Sequence, residues 1–253
     1  MVLLTLRTGH HQVAISNYWL SSEVHVIFGI MAKRTYGQYC GLAHAANLIG
    51  ERWAMLIIRD LFTGPRRFTD LKRGLPRIPT NILTARLKEL EDGGVVQRRA
   101  LPRPERGVVY ELTDYGLGLE DAVLALGRWG AQSMGPPGSD DIVTEASLIM
   151  AMRTTFHPEV ALGSRVVYEL RSGDIVISLV TDDGVLEATA GPAEKPDLVL
   201  ETAPGLRRLM AGEISPREAV KQGIVTITGK AVFLQRFVET FSIAPAPDQR
   251  QAG

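Results

Sequence analysis

Between residues 48 and 134 the apolar positions recur mostly three and four apart, the spacing of one helix face. Leu48, Ile49, Trp53, Leu56, Ile57 and Leu61 predict a single helix that Gly64 and Pro65 stop. A short helix is predicted over 67–75. A longer one follows over 80–92, capped by Thr80 and burying Ile82, Leu83, Leu87 and Leu90. The runs VVQRRAL and VVYELT read as strands joined by PRPERG, and 114–134 as one long helix with Thr113 or Asp114 as its cap. Beyond residue 141 a helix over EASLIMAMRTTF precedes an alternating rhythm. RVVYELRSGDIVISLVTDDGVLEATA predicts three strands turned at Ser172-Gly173 and at Asp182-Asp183-Gly184. PDLVLET and IVTITG make a fourth and a fifth strand. Between them PGLRRLMAG and SPREAVKQG are short helices, the second capped by Ser215 with Pro216 at its first position. KAVFLQRFVETF closes the series as an amphipathic helix with Phe233, Phe237 and Phe241 on one face.

The string GPPGSDD, 135–141, breaks both rhythms, and 253 residues suffice for a core on either side of it. The predicted organisation is a mainly-α winged helix-turn-helix domain over 31–135, a linker over 136–141 and an α/β domain with a five-stranded sheet over 142–244. A tail, 245–253, follows. Residues 1–30 lack a sustained period and a basic leader, and are read as a loose extension or a misassigned start, with Met31 as the more natural first residue.

Charge sharpens this division. The whole chain is neutral, but residues 31–135 hold 16 Lys and Arg against 11 Asp and Glu, while residues 136–253 hold 11 against 16. A basic front and an acidic back are expected when only one of the two meets a polyanion. If Leu83, Leu87 and Leu90 face inward, then Thr80, Asn81, Thr84, Ala85 and Lys88 face out. Asn can bridge an adenine edge, Thr offers a hydroxyl and a methyl, and Lys88 or Arg86 can reach phosphate. Arg66, Arg67, Lys72 and Arg73 precede this helix, and Arg98, Arg99, Arg103 and Arg106 follow it. The last two flank the tip of the strand-strand loop and suit a wing on the DNA backbone or in the minor groove. An ordinary surface helix would carry a similar face, so the flanking cations decide for DNA.

Over the stretch from YCGLAHAANLIGERW to GLEDAVLALGRWG the chain resembles the HxlR-type winged-helix transcriptional regulators. The resemblance rests on Cys40, on Ile49, Gly50 and Trp53, and on GPRRFTDL, LTARLKELEDGG and YELTDYG. It implies a homodimer that presents two recognition helices to successive major grooves of a pseudo-palindromic site. Cys40 is followed by Gly-Leu where the family commonly has Pro-Val. Some members use the equivalent cysteine as a redox or electrophile sensor. For Cys40 the alternatives are that role and an incidental residue in the dimer contact, with no local feature of the sequence beyond His44 to activate the thiol. Residues 142–244 resemble the sterol carrier protein type-2-like domain, most clearly over PDLVLETAPGLRRLMAGEISPREAVKQGIVTITGKAVFLQRFVETF. That resemblance implies an apolar tunnel beneath the last helix, where Phe233, Phe237 and Phe241 are the candidate lining. The plainer reading is that they are core.

No metal spacing, P-loop or nucleophile elbow is present, and Gly116 and Gly118 lack the third glycine of a dinucleotide loop, Asp121 standing in its place. The expectation is therefore no enzyme, no cofactor and no metal. With one cysteine and no long apolar run, the cytoplasm is expected and a membrane is not. The function read from the sequence is a dimeric regulator, a repressor, that binds double-stranded DNA. An apolar small molecule or the oxidation of Cys40 would modulate it. The alternative is an apolar-ligand or lipid carrier in which the front domain serves dimerisation.

Overall fold

The computed structural model describes residues 4–8, 11–15, 35–135, 137–202 and 205–244, in two compact units, 1–47 and 48–253. The expectations for a start at Met31 and for a tail over 245–253 fall outside the described residues. In the first unit β1 (Leu4–Thr8) pairs antiparallel with β2 (His11–Ile15), in a stretch whose sequence gave no clean strand period. Helix α1 (Gly41–Ile49) begins directly after Cys40.

In the second unit α2 (Ala54–Leu61) is a helix of its own, which corrects the single helix expected from Leu48 to Leu61. Gly50 is non-helical, and Trp53, just before α2, holds φ at 81° in the left-handed region that side chains other than glycine rarely enter. Helix α3 (Phe68–Gly74) starts where the Asp70 carboxylate accepts from the Arg67 amide at 3.2 Å. Helix α4 (Thr80–Asp92) has Pro79, not Thr80, as the residue before its first turn, and no side chain caps it. Gly93 and Gly94 end α4. Strand β3 (Val96–Ala100) then pairs antiparallel with β4 (Val108–Leu112), from Val96 opposite Leu112 to Ala100 opposite Val108. Arg66 adds a backbone rung to β4: its amide donates to the Tyr110 carbonyl at 2.9 Å and its carbonyl accepts from the Tyr110 amide at 2.8 Å.

The long helix expected over 114–134 is two: α5 (Asp114–Leu117) and α6 (Glu120–Ser133). Thr113 caps α5 by accepting from the Gly116 amide. A side chain at Gly116 would collide with the Val95 carbonyl, so the close approach of this turn to the hairpin needs glycine there.

Helix α7 (Glu145–Thr155) opens the back half, with Thr144 and Ser147 exchanging backbone and side-chain hydrogen bonds at its start. A 3₁₀ turn at Pro158–Val160 follows. Strands β5 (Arg165–Ser172), β6 (Ile175–Asp182), β7 (Val185–Ala190), β8 (Leu198–Thr202) and β9 (Val225–Gly229) form one five-stranded sheet in the order β7-β6-β5-β8-β9. Only the β5–β8 pair is parallel. The β6–β7 turn places Asp183 and Gly184 at positive φ, the conformation a tight hairpin demands. Helices α8 (Leu206–Met210) and α9 (Pro216–Lys221) lie between β8 and β9 in sequence, and α10 (Ala231–Thr240) follows β9.

The apolar residues gather in two clusters. One joins Ile57, Ile58, Leu71, Leu83, Leu87 and Leu90 with Val95 and Val96. The other joins Tyr168, Leu170, Ile177, Leu179, Leu198 and Leu200 with Phe237 and Phe241. Helix α7 serves both: Leu148, Ile149 and Met152 enter the second, and Met150 enters the first. The break at 135–141 is therefore not where packing ends. Arg153 reinforces the link, donating to the Phe62 carbonyl and pairing with Glu120.

Candidate nucleic-acid interface

Helix α4 divides as its periodicity requires. Leu83, Leu87 and Leu90 are buried, while Thr80, Asn81, Thr84, Ala85 and Lys88 are all exposed. Ile82 is only partly buried and edges the stripe rather than joining it. On the exposed face the Thr84 hydroxyl donates to the Thr80 carbonyl at 3.0 Å. It therefore offers a partner its acceptor lone pairs and methyl, not its proton. The Asn81 amide has no hydrogen bond among the described residues, so both of its donors and its acceptor are available. The Lys88 ammonium lies 2.9 Å from Asp92, whose hydrogen bond and charge raise its pKa. Both partners are solvent-exposed, so this pair is weak and a phosphate can displace it.

Arg86, expected to reach phosphate, does not point that way. Only 16% of its side chain is exposed, and it pairs with Glu51 and Glu89 on the flank of the helix. The flanking arginines also separate into two kinds. Arg66 donates to the Thr63 hydroxyl at 2.7 Å and pairs with Glu145 of α7 at 3.1 Å. Arg67 donates to the Arg106 carbonyl at 3.0 Å and so ties α3 to the base of the loop. Arg98 and Arg99 pair with Glu91 and Glu111. Arg103 and Arg106 are exposed on the 101–107 loop and have no ion pair among the described residues. Among these arginines the charge left for a polyanion is therefore at the loop tip, while Arg66 and Arg67 act as struts for the frame.

Cys40 is exposed and stands immediately before α1. The amides of Ala43 and Leu42 face its sulfur and lower the thiol pKa below the ordinary value. His44 donates its backbone amide to the Cys40 carbonyl. The sequence had offered only the His44 imidazole as an activator; the activating groups are backbone amides, which become visible once the helix start is known.

Phe237 and Phe241 are fully buried, with ring centroids 4.9 Å apart and each edge-on to Tyr168 at 5.4 and 6.1 Å. Phe233 is partly buried against the same cluster. These rings fill one another's space, which favours the core reading of the stripe over a ligand-lined tunnel. Burial pushes the Tyr168 phenol up to about 12. Near the end of α10, the Ser242 hydroxyl meets His157 Nε2 at 2.9 Å, and His157 Nδ1 lies 3.2 Å from Glu159. The order resembles a hydrolytic triad, but the Ser242 amide is committed to the Thr155 carbonyl and Glu159 is mostly exposed. This arrangement fastens the end of α10 to the 3₁₀ turn. Among the described residues no cluster of three or more His, Cys, Asp or Glu is placed to hold a metal ion, and no helix is long and apolar enough to cross a membrane.

The profile of the HxlR-like helix-turn-helix family matches residues 48–137. The HTH-type transcriptional regulator YodB of Bacillus subtilis is 38% identical over 92 residues, spanning 36% of this chain and 82% of that protein. An uncharacterized HTH-type transcriptional regulator of Mycobacterium bovis, Mb3122, is 36% identical over 111 residues, spanning 42% of this chain and 68% of that protein. Among solved structures, the reduced form of YodB from B. subtilis is 35% identical, covers 40% of this chain and 100% of that chain, and superposes with a TM-score of 0.35.

Proposed function

We propose that this chain, which belongs to the HxlR-like helix-turn-helix family, is a dimeric, sequence-specific DNA-binding repressor of the cytoplasm. The observation that carries this reading is the pairing of one polar exposed face on α4 with a loop tip whose arginines have no ion pair among the described residues. Thr80, Asn81, Thr84 and Ala85 face base edges in the major groove, and Lys88 reaches a phosphate. Arg103 and Arg106 lie along the backbone, and Arg66 and Arg67 act indirectly by holding the loop and α7 in place. Base contacts then set the sequence, while loop and lysine contacts set affinity and its salt dependence.

Dimerisation is supported by α6, which has no fully buried residue and exposes Leu126 and Trp129, the latter at 73%. Such a face is expected to find an apolar partner, and a two-fold pair of α4 helices would read a two-fold site. We assign Cys40 a redox or electrophile-sensing role, supported by its exposure and by the amides that favour its thiolate. Leu42→Pro removes one of those amides at a position where the first helical turn tolerates proline. It should slow iodoacetamide labelling of Cys40 near neutral pH; an unchanged rate removes the helix-start account. The back half keeps a sterol-carrier-like assignment on its strand and helix order, and its buried aromatic stripe favours a scaffold role over an apolar effector seat.

The test is a salt series of binding to the duplex just upstream of the chain's own coding region, with a scrambled duplex as control. A steep slope with preference for the natural duplex supports the proposal. A shallow slope without preference on this and on duplexes selected from a random pool defeats it.

A further inference from the structure

On the flank of α4, away from the Thr80–Lys88 stripe, lies an open cleft of about 370 Å³ lined by Arg52, Trp53, Arg77, Pro79, Ile82 and Arg86. Its size is in the range of small-molecule sites. Its chemistry is narrow: one indole, two apolar side chains and guanidinium groups, with no carboxylate in the lining. The Arg52 guanidinium lies 5.3 Å from the Trp53 ring centroid, so a cation already sits on the aromatic face. Arg52 and Arg77 have no carboxylate partner among the described residues. The Arg77 guanidinium donates to the Asp140 carbonyl, a neutral acceptor. Arg86 spends its terminal nitrogens on Glu51 and Glu89, while its buried Nε has no acceptor among the described residues. Trp53 is also held at a positive φ, a conformation that surrounding structure must sustain and that recurs at ligand-binding positions.

We propose that this cleft binds a small planar anion of the aromatic carboxylate class. The ring would lie against Trp53 and Ile82, and the carboxylate would take hydrogen bonds from Arg52 and Arg77; Arg86, already paired with Glu51 and Glu89, closes the back of the cleft without free charge. A carboxylate is a stronger acceptor than the peptide carbonyl that now holds Arg77, and its two oxygens match the guanidinium fork. Binding therefore draws Arg77 away from Asp140. A second cleft of about 180 Å³ shares Trp53 and Arg77 and is walled on its far side by Asp140, Asp141 and Ile142. Loss of the Arg77 bond loosens that wall, which joins the α4 neighbourhood to α7. The site is thus built to sense a metabolite one helix face away from the DNA-reading stripe; that regulatory meaning, though not the binding itself, rests on the DNA-binding proposal.

The experiment titrates the full-length chain, without DNA, with 2-naphthoate and with the uncharged 2-naphthamide. Calorimetry reads the binding, and the fluorescence of a chain carrying Trp19→Phe and Trp129→Phe isolates Trp53. Saturable one-to-one naphthoate binding with quenching of Trp53 is expected, with naphthamide weaker by about tenfold or more because it lacks the charge that the guanidiniums recognise. Arg52→Ala alters an exposed side chain and should keep the melting temperature, whereas Arg77→Ala also gives up the Asp140 bond and should lower it slightly; each should weaken naphthoate by about fivefold or more. Equal binding of acid and amide, absence of saturation, or full affinity in both arginine variants overturns the proposal. If both variants instead lose salt-dependent DNA affinity and leave naphthoate unaffected, the cleft is a seat for DNA phosphate and not for a metabolite. Because the titration contains no DNA, its failure leaves the DNA-binding proposal untouched, and the reverse also holds.

Discussion

Helices α4 and α10 carry comparably regular sequence stripes, yet their notable residues end on opposite sides. On α4 the aliphatic stripe is consumed by the core and the polar residues are left outside; on α10 the aromatic stripe itself is the core, with Phe237 and Phe241 fully buried. The difference lies in what each helix packs on. Beneath α4 the front cluster is mainly aliphatic, with Ile57, Ile58 and Leu71 beside Phe62, and the Asp60 carboxylate is buried beside Arg59. Beneath α10 Tyr168 projects from a central strand and receives both rings edge-on. A conspicuous side chain is a site candidate only if the fold leaves it a free face.

Breaking this contrast where it is strongest means truncating α10. Phe237→Ala removes a ring that is fully buried and should cost about 3–5 kcal/mol of stability, read by denaturant unfolding, while base preference in the folded fraction is unchanged. A small cost would mean that the rings line open space after all. Next, Asn81→Ala should leave the melting temperature in place and relax one base position of the preferred duplex by about 1–3 kcal/mol. The two arginine classes sharpen the contrast within the front half. Arg103→Ala should weaken all duplexes alike and reduce the salt slope by about 1, whereas Arg66→Ala should change the slope little and show itself in weakened docking of α7 through Glu145.

The smallest effect concerns Asp60. Burial raises its carboxyl pKa, against the opposing charge and hydrogen bond of Arg59. The folded state therefore holds that proton more tightly than the unfolded one, so stability is greatest below the unfolded carboxylate pKa and declines as pH rises toward the folded value. In Asp60→Asn this decline should disappear from a pH series of unfolding midpoints. A side chain at Gly74 would meet the Asp60 carboxylate at 2.6 Å, so Gly74→Ala provides an independent disturbance of the same spot.

Much of this was legible in the sequence because periodicity records burial. The inward leucines of α4, the hairpin, the capping Thr113 and Ser215 and the five strands all lie where spacing and turn residues place them. Three things were not legible. The breaks before Ala54 and at Gly118-Leu119 interrupt apolar spacing that continues through them, so no change of rhythm marks either one. The sorting of arginines depends on acids distant in sequence, such as Glu145 for Arg66 and Glu111 for Arg99. Charge counting alone gave every arginine equal weight. The third is the double allegiance of α7, where Met150 and Met152, two residues apart, enter different clusters. Spacing says that both are buried but not against what.

The central claim is that the exposed face of α4 reads base sequence. Selection of bound duplexes from a random pool tests it most directly, with the natural chain and with Asn81→Ala run in parallel at one salt concentration. The account predicts a recurring two-fold motif for the natural chain and the same motif with one position per half-site relaxed for the variant. An identical motif from both chains, at equal affinity, would contradict it.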